Sequence, residues 1–107
     1  MSNYGFPFDV CRMVTGTYTG DGADDRSIDI GVDLTTKSHV FVLVKSEAGT
    51  QAKGRTDDAV GDLSWIVAGA DAADGIQSLE ETGFQVGTSN TVNNNLDLYY
   101  YIVFYQE

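Results

Sequence analysis

The closing stretch from Leu96 to Gln106, Leu-Asp-Leu-Tyr-Tyr-Tyr-Ile-Val-Phe-Tyr-Gln, constrains the fold more than any other part of the chain. Five of the twelve aromatic residues fall within the seven positions from Tyr99 to Tyr105. Rings and β-branched side chains at this density pack well on a pleated surface and predict a strand, not a helix. With a period of two, Leu98, Tyr100, Ile102 and Phe104 point one way and Tyr99, Tyr101, Val103 and Tyr105 the other. The first side reads as apolar, the second as mostly tyrosine, an apolar ring with a polar tip. A strand apolar on both faces belongs in mid-sheet, with a core beneath it and a cover above. In a chain of 107 residues the expected cover is another subunit, and Tyr99, Tyr101 and Tyr105 are the residues assigned to that contact.

A second stretch has the same character. His39 to Lys45 sets Val40, Val42 and Val44 opposite Phe41 and Leu43, which makes it the natural neighbour of the closing strand. Earlier, Arg12 to Tyr18 alternates and is read as a strand, followed by a turn at Gly20–Asp25 in which Asp21-Gly22 supplies the positive φ of a hairpin tip. Arg26 to Ile30 returns as a strand with Ile28 and Ile30 inward. Ala52 to Thr56 is read as a short polar strand, and Leu63 to Ala68 holds the single tryptophan, Trp65. Ile76 to Glu80 and Phe84 to Gly87 form a hairpin, and Thr88 to Asn95 a polar loop. About eight short segments separated by turn signals, with no substantial helix, predict an all-β chain: an antiparallel, jelly-roll-like β-sandwich. Residues 1–12 are set apart as an N-terminal aromatic arm and 13–107 as one domain. Three rings, Tyr4, Phe6 and Phe8, are costly to leave in water, so the arm packs on its own domain or on a neighbour.

Sixteen acidic and six basic residues give a net charge of −10. That balance repels phosphate backbones and anionic membranes, so neither nucleic acid nor membrane is an expected partner. A single cysteine, Cys11, rules out an internal disulfide and reads as a small, partly buried apolar residue. The start of the chain lacks the basic and apolar regions of a signal peptide, which predicts synthesis in the cytoplasm.

Little of the sequence has the pattern of catalysis. The only histidine, His39, opens a strand, and no local signature joins it to Cys11 or to a serine. No catalytic residue is assigned and the chain is read as not an enzyme. Hard cations need converging carboxylates, and Asp21, Asp24 and Asp25 in one glycine-containing loop are where calcium would be sought first. Their spacing is not that of a known calcium loop, solvated turn carboxylates are the simpler reading, and no cofactor is expected. Sugars stack on rings and accept amide hydrogen bonds; Trp65 with Asn93, Asn94 and Asn95 supplies such groups.

Three segments in order carry a family likeness: Val14-Thr-Gly-Thr-Tyr-Thr-Gly-Asp-Gly-Ala-Asp-Asp-Arg-Ser-Ile, then Gly75-Ile-Gln-Ser-Leu-Glu-Glu-Thr-Gly-Phe-Gln-Val-Gly-Thr, then Val92-Asn and Tyr99-Tyr-Tyr-Ile-Val-Phe. With them the chain resembles a small β-sandwich domain of tailed-bacteriophage and prophage structural proteins. It departs from that pattern at Val32-Asp-Leu-Thr-Thr-Lys, where the family carries Gly-Phe-x-Pro. The resemblance implies a virion structural protein, foremost a capsid decoration (cement) protein on the capsid exterior. It would bind the major capsid protein as a homotrimer, with Tyr4, Phe6, Phe8 and the three tyrosines of the closing strand at its contacts. The alternative it implies is a tail-associated module that binds a host glycan.

Overall fold

Alternation and turn chemistry resolve into eight strands and one helical turn among the described residues: β1 (Cys11–Thr19), β2 (Arg26–Asp29), β3 (Ser38–Ser46), β4 (Lys53–Thr56), β5 (Trp65–Ile66), β6 (Ile76–Leu79), β7 (Gly83–Val86), α1 (Asn90–Asn93) and β8 (Leu98–Gln106). The computed structural model describes residues 11–49, 52–66 and 72–107, with the backbone alone at 65 and 66. The aromatic arm's Tyr4, Phe6 and Phe8 lie outside the described residues. β1 contains Arg12, as its alternation predicts, and begins one residue earlier at Cys11.

All pairings are antiparallel, in two sheets ordered β1-β8-β3-β4-β5 and β2-β7-β6. First pairs with last and second with next-to-last, which wraps the chain as a jelly-roll-like β-sandwich. The two doubly apolar strands are neighbours in mid-sheet, as expected, with Val14, Val103 and Val42 in one row. A strand with rings and branched residues on both sides finds packing partners on both faces only when it has strands on either side.

Which face of β8 turns inward is the reverse of the sequence expectation. Tyr99 and Val103 are fully buried, Tyr105 is nearly so, and Tyr101 packs partly buried against the core. The tyrosines assigned to a subunit contact therefore belong to this domain's own interior. Burying a phenol is tolerable when its hydroxyl is bonded. The Tyr99 hydroxyl donates to the Asn90 carbonyl at 2.6 Å and accepts from the Asn94 N–H at 2.7 Å. The Tyr18 hydroxyl donates to the Val92 carbonyl at 2.6 Å. The rings of Tyr18 and Tyr99 stack 5.3 Å apart, and Tyr101 meets Phe84 of the facing sheet edge-on at 5.7 Å. Opposite Tyr101 in register stands Gly16, whose missing side chain gives the Tyr101 ring its room.

Two further expectations are corrected, the first being the hairpin at Asp21-Gly22: β1 and β2 join different sheets, so the turn between them crosses the sandwich. Thr88 to Asn95 is not all loop, because the Ser89 hydroxyl accepts the Thr91 N–H and caps the one-turn α1, whose Val92 enters the core. The short polar strand is found as read, as β4, and its register places Lys53 and Arg55 opposite Val44 and Val42, where both are buried. Arg55 resolves its burial by donating to the carbonyls of Leu63 at 2.7 Å and Ile76 at 3.3 Å, which ties the two sheets. Burial still pulls its guanidinium below the ordinary value, with Asp62 opposing.

Candidate functional site

The polar groups that the sequence offers as ligand contacts are largely consumed by the fold. Asn93 is 0% exposed. Its amide nitrogen donates to Asp21 Oδ1 at 3.1 Å and to the Ala23 carbonyl at 2.7 Å. Its amide oxygen accepts from the Asp21 N–H at 3.0 Å and from Arg26 at 3.1 Å. Four bonds exhaust what one carboxamide ordinarily makes, so Asn93 is a structural clamp, not a ligand group. Asn94 and Asn95 are exposed, and Asn94 bonds Asp97 at 2.9 Å. Trp65 lies opposite Gly54 in the β4–β5 register.

The acidic loop is wired in the same way. Asp21 accepts the Ala23 N–H at 2.9 Å and pairs with Arg26 at 3.5 Å. That backbone bond is the largest influence; desolvation, next in size, opposes it, and the Asn93 amide and the Arg26 charge add to it, so the carboxyl is held below the usual range. Asp24 accepts the Asp25 N–H at 3.0 Å and the Gln77 amide at 3.0 Å. Asp25 takes the left-handed φ of 52° that closes the turn, beside Gly22 at 72°. Among the described residues no group of three or more His, Cys, Asp or Glu side chains is gathered as a cation site.

Cys11 is exposed at the strand end, contrary to the expected partial burial. His39 is also exposed, at the irregularity between β3 and β8, with a φ of 54°. Asp57 accepts the N–H groups of His39 at 3.3 Å and Val40 at 3.1 Å and so holds that bulge. On the smaller sheet a depression of about 400 Å³ is lined by Ser27, Thr35, Glu80, Glu81 and Thr82, three hydroxyls and two carboxylates with no ring.

One face that the fold leaves outward is apolar. Because the tyrosine side of β8 turns in, Tyr100, Ile102 and Phe104 turn out, flanked in register by Met13 of β1 and by Phe41 and Leu43 of β3. Met13 is 61% exposed, Tyr100 46% and Phe104 37%. These rings and chains share one face of the five-stranded sheet, rimmed by Lys45 and by the Glu47 carboxylate that accepts the Tyr100 hydroxyl at 3.2 Å. Alternation in the sequence marks this face as apolar but does not say that it faces out. Comparison of the chain with protein-family models, curated proteins and solved structures gives no match in any of the three.

Proposed function

We propose that this chain is a structural protein of a tailed-phage virion that docks on the shell of major capsid subunits and stabilises it. The observation that carries the reading is the outward apolar face of the main sheet, from Met13 through Phe104 and Ile102 to Tyr100. Its support in the sequence is the resemblance of the turn-and-strand segments to those of phage structural domains. A chain of net charge −10 is kept apart from its surroundings by charge everywhere except where it is meant to stick. The face that lacks acidic side chains at its centre is therefore the adhesive one.

The work done is mechanical. Covering this face with a capsid subunit contributes roughly 25 cal/mol per Å² of apolar surface, less the cost of association. Docking across more than one subunit makes the later contacts intramolecular, so modest individual affinities give tight attachment. The contact residues differ from those of the sequence reading: Met13, Tyr100, Ile102 and Phe104 replace Tyr99, Tyr101 and Tyr105.

Electron microscopy of intact particles labelled with antibody to this chain tests the proposal. Label spread over the head supports it, and heads assembled with Phe104→Asp protein should lose the label while the variant stays folded. Label at the tail tip overturns it in favour of the glycan-binding alternative, and absence of label from particles overturns both.

A further inference from the structure

The long edge of the main sheet is unlike the rest of the surface. β1 runs nine residues, with β8 on one side and no strand on the other among the described residues. Among the described residues the other sheet edges are short, with two residues in β5 and four each in β2 and β6. A long edge presents unpaired N–H and C=O groups to any other strand, and proteins usually blunt it with Pro, Lys, a bulge or an inward charge. β1 reads Cys-Arg-Met-Val-Thr-Gly-Thr-Tyr-Thr, without Pro, Lys, Asp or Glu. Its register against β8 is unbroken from Cys11 to Thr19, so no bulge turns it aside. Its one charge, Arg12, is paired with Glu107 at 3.1 Å. On a chain with sixteen acidic residues, this acid-free strip is where two copies approach with least repulsion.

We propose that β1 is a self-association edge: two copies of the chain pair their β1 strands antiparallel about a two-fold axis at Thr15. Cys11 then lies opposite Thr19, Met13 opposite Thr17, and Thr15 opposite its own copy. Odd-numbered residues of β1 face outward, so this register keeps like face beside like face, whereas a slip of one residue sets outward side chains against inward ones. Among the face-matched registers it alone engages all nine residues. Threonines opposite one another across antiparallel strands are a stabilising pair. The two five-stranded sheets become one, and the apolar faces of both copies lie on a single surface. The inference rests on the strand edge and not on the capsid reading. It also differs from the three-fold assembly that the family resemblance implies.

Sedimentation of the full chain over a concentration series is the test, with an expected limiting mass twice the 11.6 kDa of one chain. The dimer should strengthen as salt screens the repulsion between two copies of charge −10. Thr15→Glu, at an exposed position, sets two carboxylates against each other and should be folded and monomeric. Thr19→Cys should form a covalent dimer with Cys11 of the second copy under mild oxidation. The parent chain should not cross-link within that dimer, because eight strand positions, about 27 Å, separate the two Cys11 residues. A monomer at every concentration and salt overturns the proposal, as does a mass three times that of the chain. So do a folded Thr15→Glu dimer and a Thr19→Cys chain that cross-links no faster than Thr17→Cys.

Discussion

Replacing Asn93 by alanine removes a side chain that is fully buried and joins α1 to the β1–β2 loop through three hydrogen bonds and to Arg26 of β2 through a fourth, all between 2.7 and 3.1 Å. A neutral bond of this kind contributes about 1 kcal/mol net and one to a charged partner more, while a buried group left unpaired costs about 1–3 kcal/mol. Two features reduce the loss: Asp21 is half-exposed and water can replace its partner, and Arg26 keeps its bond to the Thr19 carbonyl. The expected loss is therefore about 3 kcal/mol, which for a domain of this size lowers the melting temperature by about 12 °C. Urea unfolding followed by circular dichroism measures it directly. The control is Asn94→Ala, which removes an exposed bond to Asp97 and should change stability by less than about 0.5 kcal/mol. Asn93→Asp should lose at least as much as alanine at neutral pH, since it sets a second carboxylate against Asp21. An Asn93→Ala loss no larger than that of Asn94→Ala would refute the assignment of Asn93 as a clamp and return it to the ligand reading.

Other expectations follow from the same contacts. Phe84→Ala, in the buried centre of the smaller sheet, should cost about 3–5 kcal/mol of folding stability by equilibrium denaturation. Phe104→Ala on the outer face should cost less than about 1 kcal/mol yet weaken docking, and equal costs would contradict the assignment of faces. Gly16→Ala drives a methyl group into the Tyr101 ring, which is held against Phe84, and should destabilise by about 1–3 kcal/mol in the same assay. At acid pH, Asp21 and Glu107 titrate below their unfolded values, Glu107 chiefly through its bond to Lys37 and then Arg12. Their contribution is complete above the unfolded values of 3.8 and 4.5 and lost as pH falls through the folded values, so the melting temperature should drop there. At alkaline pH, burial raises the phenols of Tyr18 and Tyr99 above the ordinary 10.0. That contribution is complete below pH 10 and lost as pH rises beyond it, so the melting temperature should fall above pH 10, and ionisation of these two tyrosines by ultraviolet absorbance should coincide with unfolding.

Much of this architecture is written locally. Period-two alternation in Leu98–Gln106 and Ser38–Ser46 and a Glu-Thr-Gly hairpin determine strands, turns and a sandwich from nearest-neighbour chemistry alone, whereas the Asp21-Gly22 turn, which reads as a hairpin tip, carries the chain from one sheet to the other. Even the central, adjacent placement of β3 and β8 follows, because two apolar faces need neighbours on both sides. The candidate site was half legible: alternation sorts Tyr100, Ile102 and Phe104 from Tyr99, Tyr101 and Tyr105, but a period of two is symmetric about the sheet. The tertiary structure broke that symmetry. The β8 tyrosines turn inward because partners outside the strand await them: the Asn90 carbonyl and the Asn94 N–H for the Tyr99 hydroxyl, and the space above Gly16 for the Tyr101 ring. The same long-range bonding made Asn93 a clamp, turned Asp21 from a possible cation ligand into a turn cap, and buried Lys53 and Arg55 in a strand that reads as polar. Sequence determined which residues alternate; only the fold decided which of them meet each other and which meet the solvent, because hydrogen-bond partners 60 or more positions away, such as Asn93 to Ala23 with a separation of 70, leave no mark on local pattern.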